Sequence, residues 1–209
     1  MEHGKPITCF GLLRHEKTVW NQEKRIQGRK DSPLTSLGRR RAEKWGRRLE
    51  AYAWERMIAS CAGRAMETAL RVNERLQVPL TMDPRLQEQD WGAWTGKTLG
   101  QVKAEAPELL KGQEAAGWDF CPPGGEDRKQ VWQRSRAALL DAAARWPGRN
   151  ILVITHIGVV KVLLYGLCRG NFPAAESLVI NPRSFHWLIH DGKSLRVKQI
   201  NAFTLENET

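Results

Sequence analysis

No apolar run in this 209-residue sequence is long and uncharged enough to cross a bilayer. The longest, Ile151 to Cys168, carries His156 and Lys161 and changes period at a glycine, which predicts a buried strand followed by a helix. The first apolar run, Ile7 to Leu13, is short and is followed, not preceded, by the charges of Arg14-His15-Glu16-Lys17. A secretory leader has the opposite order, so the expected location is the cytoplasm, with no membrane partner. The four cysteines, Cys9, Cys61, Cys121 and Cys168, lie far apart. They lack the close pairs of zinc or redox motifs, and reduced, mostly buried thiols are expected. There is no acidic cluster, internal repeat or low-complexity tract.

What the chain does have is positive charge. Its formal net charge is +10 and its pI about 9.8, with 27% charged and 41% hydrophobic residues interspersed in the manner of a globular protein. Basic character invites a nucleic-acid reading. The densest cluster, Arg39 to Arg48, places Ala42, Trp45 and Leu49 on one helical stripe and Arg40, Lys44, Arg47 and Arg48 elsewhere. A solvated helix face accounts for it. No zinc-finger spacing or RNA-recognition signature is present, so the expected partner is a small anion, not nucleic acid.

Strand-like and helix-like segments alternate. Strands are predicted over Ile7–Leu13, Met57–Ser60, Leu80–Met82, Asn150–Thr155, Phe185–His190 and Ser194–Ile200, the last two joined by the hairpin signal Asp191-Gly192. Helices are predicted over Thr35–Ala53, Gly63–Leu76, Asp127–Trp146 and Gly158–Leu167, with capping-box spacing at Asp127–Gln130 and Thr98–Gln101. This order predicts a single α/β domain over residues 1–209: a three-layer α/β/α sandwich on a mainly parallel sheet. Residues 97–125 read as an irregular helical insertion that shapes the pocket.

Ligands in such sheets bind beyond the carboxyl ends of the strands. Three predicted strands end in Arg14-His15, in Ser60 with Arg64 three residues beyond Cys61, and in Thr155-His156. Singly, each of these residues is usually a surface or structural group. Together they put two arginines and two histidines on one rim. Arginines match phosphate geometry, a helix N-terminus at Gly158 adds amide donors, and an imidazole among them is a candidate nucleophile. Adjacent arginines argue against a metal held by the histidines, so neither metal nor other cofactor is expected.

The sequence resembles the histidine phosphatase (phosphoglycerate mutase-like) superfamily. The resemblance runs from Leu12-Leu13-Arg14-His15 through Trp20-Asn21 and Gln27-Gly28 to Gly38, then Ser60, Arg64-Ala65 and Leu86-Gln87-Glu88 with Trp91-Gly92. It closes with Pro123-Gly124-Gly125-Glu126 and Thr155-His156-Ile157-Gly158. It implies a phosphoglycerate mutase-like fold and a metal-independent phosphoric monoester hydrolase acting on a small phosphorylated metabolite. It further implies that His15 is the nucleophile that becomes phosphorylated, that Arg14, Asn21, Arg64 and His156 bind the phosphoryl group, and that Glu88 is the proton donor and later the base. Trp91 and Trp94 are expected to give Glu88 the apolar surroundings that raise a carboxyl pKa. The stretch Arg25 to Thr35 resembles the phosphatase branch, where broad-specificity and ribazole phosphatases look alike. Mutase-type phosphoryl transfer and a non-catalytic phosphate-binding module are the alternatives, and the chain is expected to be a monomer or homodimer. The family usually has Gly after the nucleophile. Here Glu16 stands there, expected to turn its carboxylate away from the imidazole.

Overall fold

The computed structural model describes residues 6–168 and 178–205. Its centre is a six-stranded sheet of β1 (Thr8–Arg14), β2 (Arg56–Ala59), β3 (Leu80–Met82), β4 (Asn150–Thr155), β5 (Ser184–His190) and β6 (Leu195–Thr204), in the order β3-β2-β4-β1-β5-β6. The first four strands in that order are parallel; β5 and β6 are antiparallel to their neighbours. The expected mainly parallel sheet is present, extended at one edge by the Asp191-Gly192 hairpin.

The helices are α1 (Val19–Gln22), α2 (Ser36–Leu49), α3 (Gly63–Leu76), α4 (Leu99–Glu105), α5 (Pro107–Ala115), α6 (Arg128–Arg145) and α7 (Ile157–Cys168). Successive strand residues face opposite sides of a sheet. Phe10, Leu12, Ile151 and Val153 therefore pack with α6 and α7, while Leu13, Met57, Leu152 and Ile154 pack with α2 and α3. Strand β4 is buried on both faces, which is why it reads as an unbroken apolar run.

Side chains set the helix ends. Thr35, Thr98 and Asp127 cap α2, α4 and α6, the last two through full capping boxes. The sequence predicted α2 to continue to Ala53, but it stops at Leu49, whose carbonyl accepts the Trp54 indole N–H at 3.0 Å. Helix α1 was not predicted; four residues carry no readable period, although Thr18 and Asn21 form a capping box. Residues 97–125 hold α4, α5 and a short 3₁₀ turn. Val102, Leu110 and Phe120 close with Trp94 into a small third core.

Near the end of the hairpin, β6 bulges at Asn201, which has a φ of 49° and donates its backbone N–H to Nδ1 of the buried His186 at 3.1 Å. That nitrogen must be unprotonated, and burial lowers the His186 pKa from 6.5 to about 4. A depressed folded-state pKa contributes stability that is complete above the unfolded value of 6.5 and is lost as pH falls through about 4. The contribution amounts to at most about 3 kcal/mol. Urea unfolding at about pH 7 and about pH 4.5 should show the loss, and a His186→Phe variant should show a smaller pH dependence whatever its stability at neutral pH. An equal dependence in both proteins would remove His186 from the account.

Candidate active site

The ladder carries the carboxyl ends of β1, β2 and β4 to a common rim. The His15 N–H donates to the Thr155 carbonyl at 2.8 Å and the Ser60 N–H to the Ile154 carbonyl at 3.0 Å, so pairing continues past the strands. Arg14, His15, Ser60 and His156 are thereby held beside one another.

His15 is 5% exposed. Its Nδ1 lies 2.8 Å from the Glu16 carbonyl, which can only accept, so Nδ1 carries the proton. The opposite nitrogen, Nε2, accepts from Arg64 Nε at 3.3 Å. Burial, reinforced by Arg14 and Arg64, holds the His15 pKa well below its ordinary value. The ring is neutral, with its lone pair on Nε2.

Arg64 leads α3 and is 2% exposed. Its Nη1 donates to the Lys30 carbonyl at 2.8 Å and to Asp31 Oδ1 at 3.1 Å, and its Nη2 to the Gly28 carbonyl at 2.8 Å. Asp31 also accepts from the Arg64 backbone N–H at 3.2 Å. The Gly28–Asp31 loop is thus a socket for this guanidinium.

His156 is fully buried; its ring centroid is 5.1 Å from that of His15, and its Nε2 lies 2.7 Å from Ser60 Oγ. Ser60 Oγ in turn accepts the Ala62 N–H at 3.3 Å. The Ser60 hydroxyl can donate to Nε2, an arrangement that leaves the His156 proton on Nδ1. Among the described residues, buried His156 Nδ1 and Arg14 Nε have no hydrogen-bond partner. Such orphaned groups cost stability and point to a ligand. Burial, followed by Arg64, His15 and Arg14, lowers the His156 pKa well below 6.5. Burial also lowers that of Arg14, against the raising effect of Glu88 and Glu16.

Glu88 follows the short turn Pro84–Leu86, which is tied to β4 by Thr155 Oγ1 donating to the Leu86 carbonyl at 2.7 Å. The Glu88 carboxylate accepts the Gln89 N–H at 2.9 Å and the Gly158 N–H at 3.2 Å. The α7 N-terminus, expected to present amides to a ligand, gives that of Gly158 to Glu88. A Cβ on Gly158 would lie 2.2 Å from Glu88 Oε1, so this approach requires glycine. Trp91 and Trp94, expected beside Glu88, both pack against Phe120. Asp90, the other acid near this motif, accepts from the Gly92 N–H and faces Arg29.

The Pro123–Glu126 motif braces this segment. Gln89 Nε2 donates to the Glu126 carbonyl at 2.7 Å, Arg134 Nη2 to the Glu88 carbonyl at 3.1 Å, and Arg134 pairs with Glu126 at 2.6 Å. Side chains at Gly92 or Gly125 would strike the opposing backbone at 2.2 and 2.5 Å.

A cleft of about 360 Å³ opens beside His15 and Arg14, with Asn21 on its wall. Of the six residues singled out in the sequence, Arg14, His15 and Asn21 line this cleft, Arg64 and His156 lie against the His15 ring, and Glu88 meets the Gly158 N–H two residues beyond His156. Glu16 also lines the cleft. Its carboxylate turns to α2, accepting from Trp45 Nε1 at 2.9 Å and Arg41 Nε at 3.2 Å. The sequence reading missed Ser60 as partner of His156, Asp31 as partner of Arg64, and Arg41, which is 8% exposed. The Ser60 and Asp31 positions lay within the motifs; their pairings did not. None of the cleft-lining residues comes from 97–125, the segment expected to shape the pocket.

The profile of the histidine phosphatase superfamily (branch 1) matches residues 10–202. The chain belongs to this superfamily. Metal-independent hydrolysis of phosphomonoesters through a phosphohistidine, the activity expected from the sequence, is typical of it. Glucosyl-3-phosphoglycerate phosphatase of Mycobacterium tuberculosis is 34% identical over 179 residues, 78% of either chain. A probable phosphoglycerate mutase, GpmB, of an Enterobacter species is 33% identical over 75% of this chain and 74% of its own. Among solved structures, Bacillus stearothermophilus YhfR matches with a TM-score of 0.85 at 31% identity, over 94% of this chain and 98% of that one. A mycobacterial glucosyl-3-phosphoglycerate phosphatase complexed with VO3 matches with a TM-score of 0.83 at 28% identity, over 93% of this chain and 99% of that one.

Because Gly158 seats Glu88, Gly158→Ala should displace the carboxylate and lower kcat on alkyl phosphates by about tenfold or more, a loss of at least ~1.4 kcal/mol in the barrier. An unchanged rate in a folded variant would show that the seat is not needed.

Proposed function

We propose that the chain hydrolyses phosphate monoesters of small metabolites, with His15 as nucleophile and Glu88 as proton donor. The observation that carries this reading is the protonation pattern of His15: Nδ1–H is committed to a carbonyl, and the Nε2 lone pair is directed to a neighbouring guanidinium. In this reading Nε2 attacks phosphorus in line with the ester oxygen. The P–N bond forms, the P–O bond to the alcohol breaks, and protonated Glu88 gives its proton to the departing alkoxide. Water then loses a proton to the Glu88 carboxylate and attacks the phosphohistidine, releasing phosphate and restoring His15. Arg14 Nε and His156 Nδ1 gain partners in the phosphoryl oxygens. With Arg64 and Asn21 they stabilise the charge that builds there.

The low pKa of His15 has a sign consequence: the imidazole stays unprotonated and nucleophilic as pH falls below 6.5. His15→Ala should abolish turnover, and quenched wild-type reactions should contain acid-labile, alkali-stable phosphate. Ordinary rates in His15→Ala would remove the nucleophile from this scheme.

Glu88, rather than Asp90, is the acid in this reading, since it lies at the α7 N-terminus just beyond His156 while Asp90 closes a turn. An alkoxide needs a proton and a nitrophenolate hardly does. In single-turnover phosphorylation, Glu88→Gln should slow alkyl phosphates at least about tenfold more than p-nitrophenyl phosphate. Equal slowing would transfer the role to another donor. The same kinetics test the mutase alternative favoured by the GpmB similarity, which requires a phosphoenzyme that persists in water.

A further inference from the structure

Helix α2 is fitted to the two residues that follow the nucleophile. Gly38, Arg41 and Trp45 recur at spacings of three and four residues, so they share one face of the helix. A Cβ on Gly38 would lie 2.3 Å from the Lys17 carbonyl oxygen, so the helix meets that backbone directly. The same carbonyl accepts the Thr35 N–H at 2.9 Å and the Thr35 hydroxyl at 3.1 Å. The start of α2 thus holds the main chain after His15, and Arg41 and Trp45 take the Glu16 side chain.

The Glu16 carboxylate has three donors among the described residues, all from this face or from its own loop. Oε1 accepts from Trp45, and Oε2 from Arg41 and from the Lys17 N–H at 3.3 Å. Both members of the ion pair are largely buried, with side-chain exposures of 10% and 11%. Removing one partner of such a pair leaves the other charge uncompensated. Arg14 already lies in the field of this carboxylate: Glu16, after Glu88, raises the Arg14 pKa against the effect of burial. Arg14 is also the residue whose buried Nε has no partner among the described residues. The Glu16 carboxylate and a phosphoryl group on His15 therefore compete for one guanidinium. Glycine, usual at this position in the superfamily, poses no such competition.

Resting on the phosphatase reading above, we propose that Arg41 is a positioning residue of the phosphoryl site: it holds and neutralises the Glu16 carboxylate, which would otherwise draw Arg14 away from the phosphoryl group.

The test makes Arg41→Gln twice, once with Glu16 present and once in a Glu16→Gln background, in proteins matched by circular dichroism. Titration calorimetry gives the Kd of inorganic phosphate, and p-nitrophenyl phosphate gives kcat/KM. With Glu16 present, Arg41→Gln should raise Kd and lower kcat/KM by about tenfold each, the size of one charge-assisted contact. In the Glu16→Gln background the same substitution should change either by less than about twofold. An arginine with a merely structural role would cost the same in both. Equal losses in the two backgrounds, or none in either, would overturn the role of Arg41 and leave the phosphatase reading standing. If Arg41→Gln does not fold beside Glu16, Glu16→Asp takes its place, since the shorter side chain draws the carboxylate back from Arg41. Its phosphate Kd should then exceed that of Glu16→Gln at least about threefold, and equal values would overturn the role. Wild type that neither binds phosphate nor hydrolyses the ester would overturn both.

Discussion

Burying a guanidinium is expensive unless its donors are matched, and the arrangement at the rim depends on how Arg64 meets that requirement. The side chain leads α3, and two carbonyls and one carboxylate of the Gly28–Asp31 loop satisfy its outer nitrogens. Only Nε is turned towards His15. A helix of one layer, a loop after β1 and the His15 ring are therefore tied together by one side chain. Together with burial and the charge of Arg14, the same charge keeps both imidazoles neutral. Removing Asp31 would leave the guanidinium buried and under-paired, and the loop without its tie to α3.

The segment carrying Glu88 is held by a different principle, backbone on backbone. Gly92 and Gly125 let two chain segments approach more closely than side chains would allow, and the Arg134–Glu126 pair locks them. On the other side, Gly158 brings an amide to the carboxylate. Such contacts leave little freedom for the acid to move, so its placement relative to His156 is set by rigid main chain rather than by a flexible arm. That rigidity suits the double role proposed for Glu88, first giving and then taking a proton.

Much of this was legible in the sequence. The strands carry their faces in alternation, as at Phe10, Leu12 and Leu13, and the buried β4 is a plain apolar run. Knowing that parallel strands deliver their carboxyl ends to one rim was enough to bring Arg14, His15, Arg64 and His156 together. The pairings were not legible. Whether Ser60 reaches His156 depends on the spacing of β2 and β4 in the sheet, and whether Arg41 faces Glu16 depends on how α2 packs over the nucleophile loop. Arg41 belongs to a run of arginines whose other members are solvated. Only the tertiary structure separates it from them. The Glu88 contacts were not legible for the same reason: the amides that meet its carboxylate come from Gln89 and from Gly158, and Phe120, from the distant end of the insertion, packs against Trp91 and Trp94.

The Glu16 carbonyl has a chemical consequence of its own. It occupies His15 Nδ1 at 2.8 Å, and Glu16 is itself pinned through its N–H to Thr68 Oγ1 at 3.1 Å and through its carboxylate to α2. A phosphoryl group carried by this imidazole therefore has one nitrogen to bond and not the other. Of the two positional isomers open to a free phosphohistidine, the backbone admits only the one substituted at Nε2.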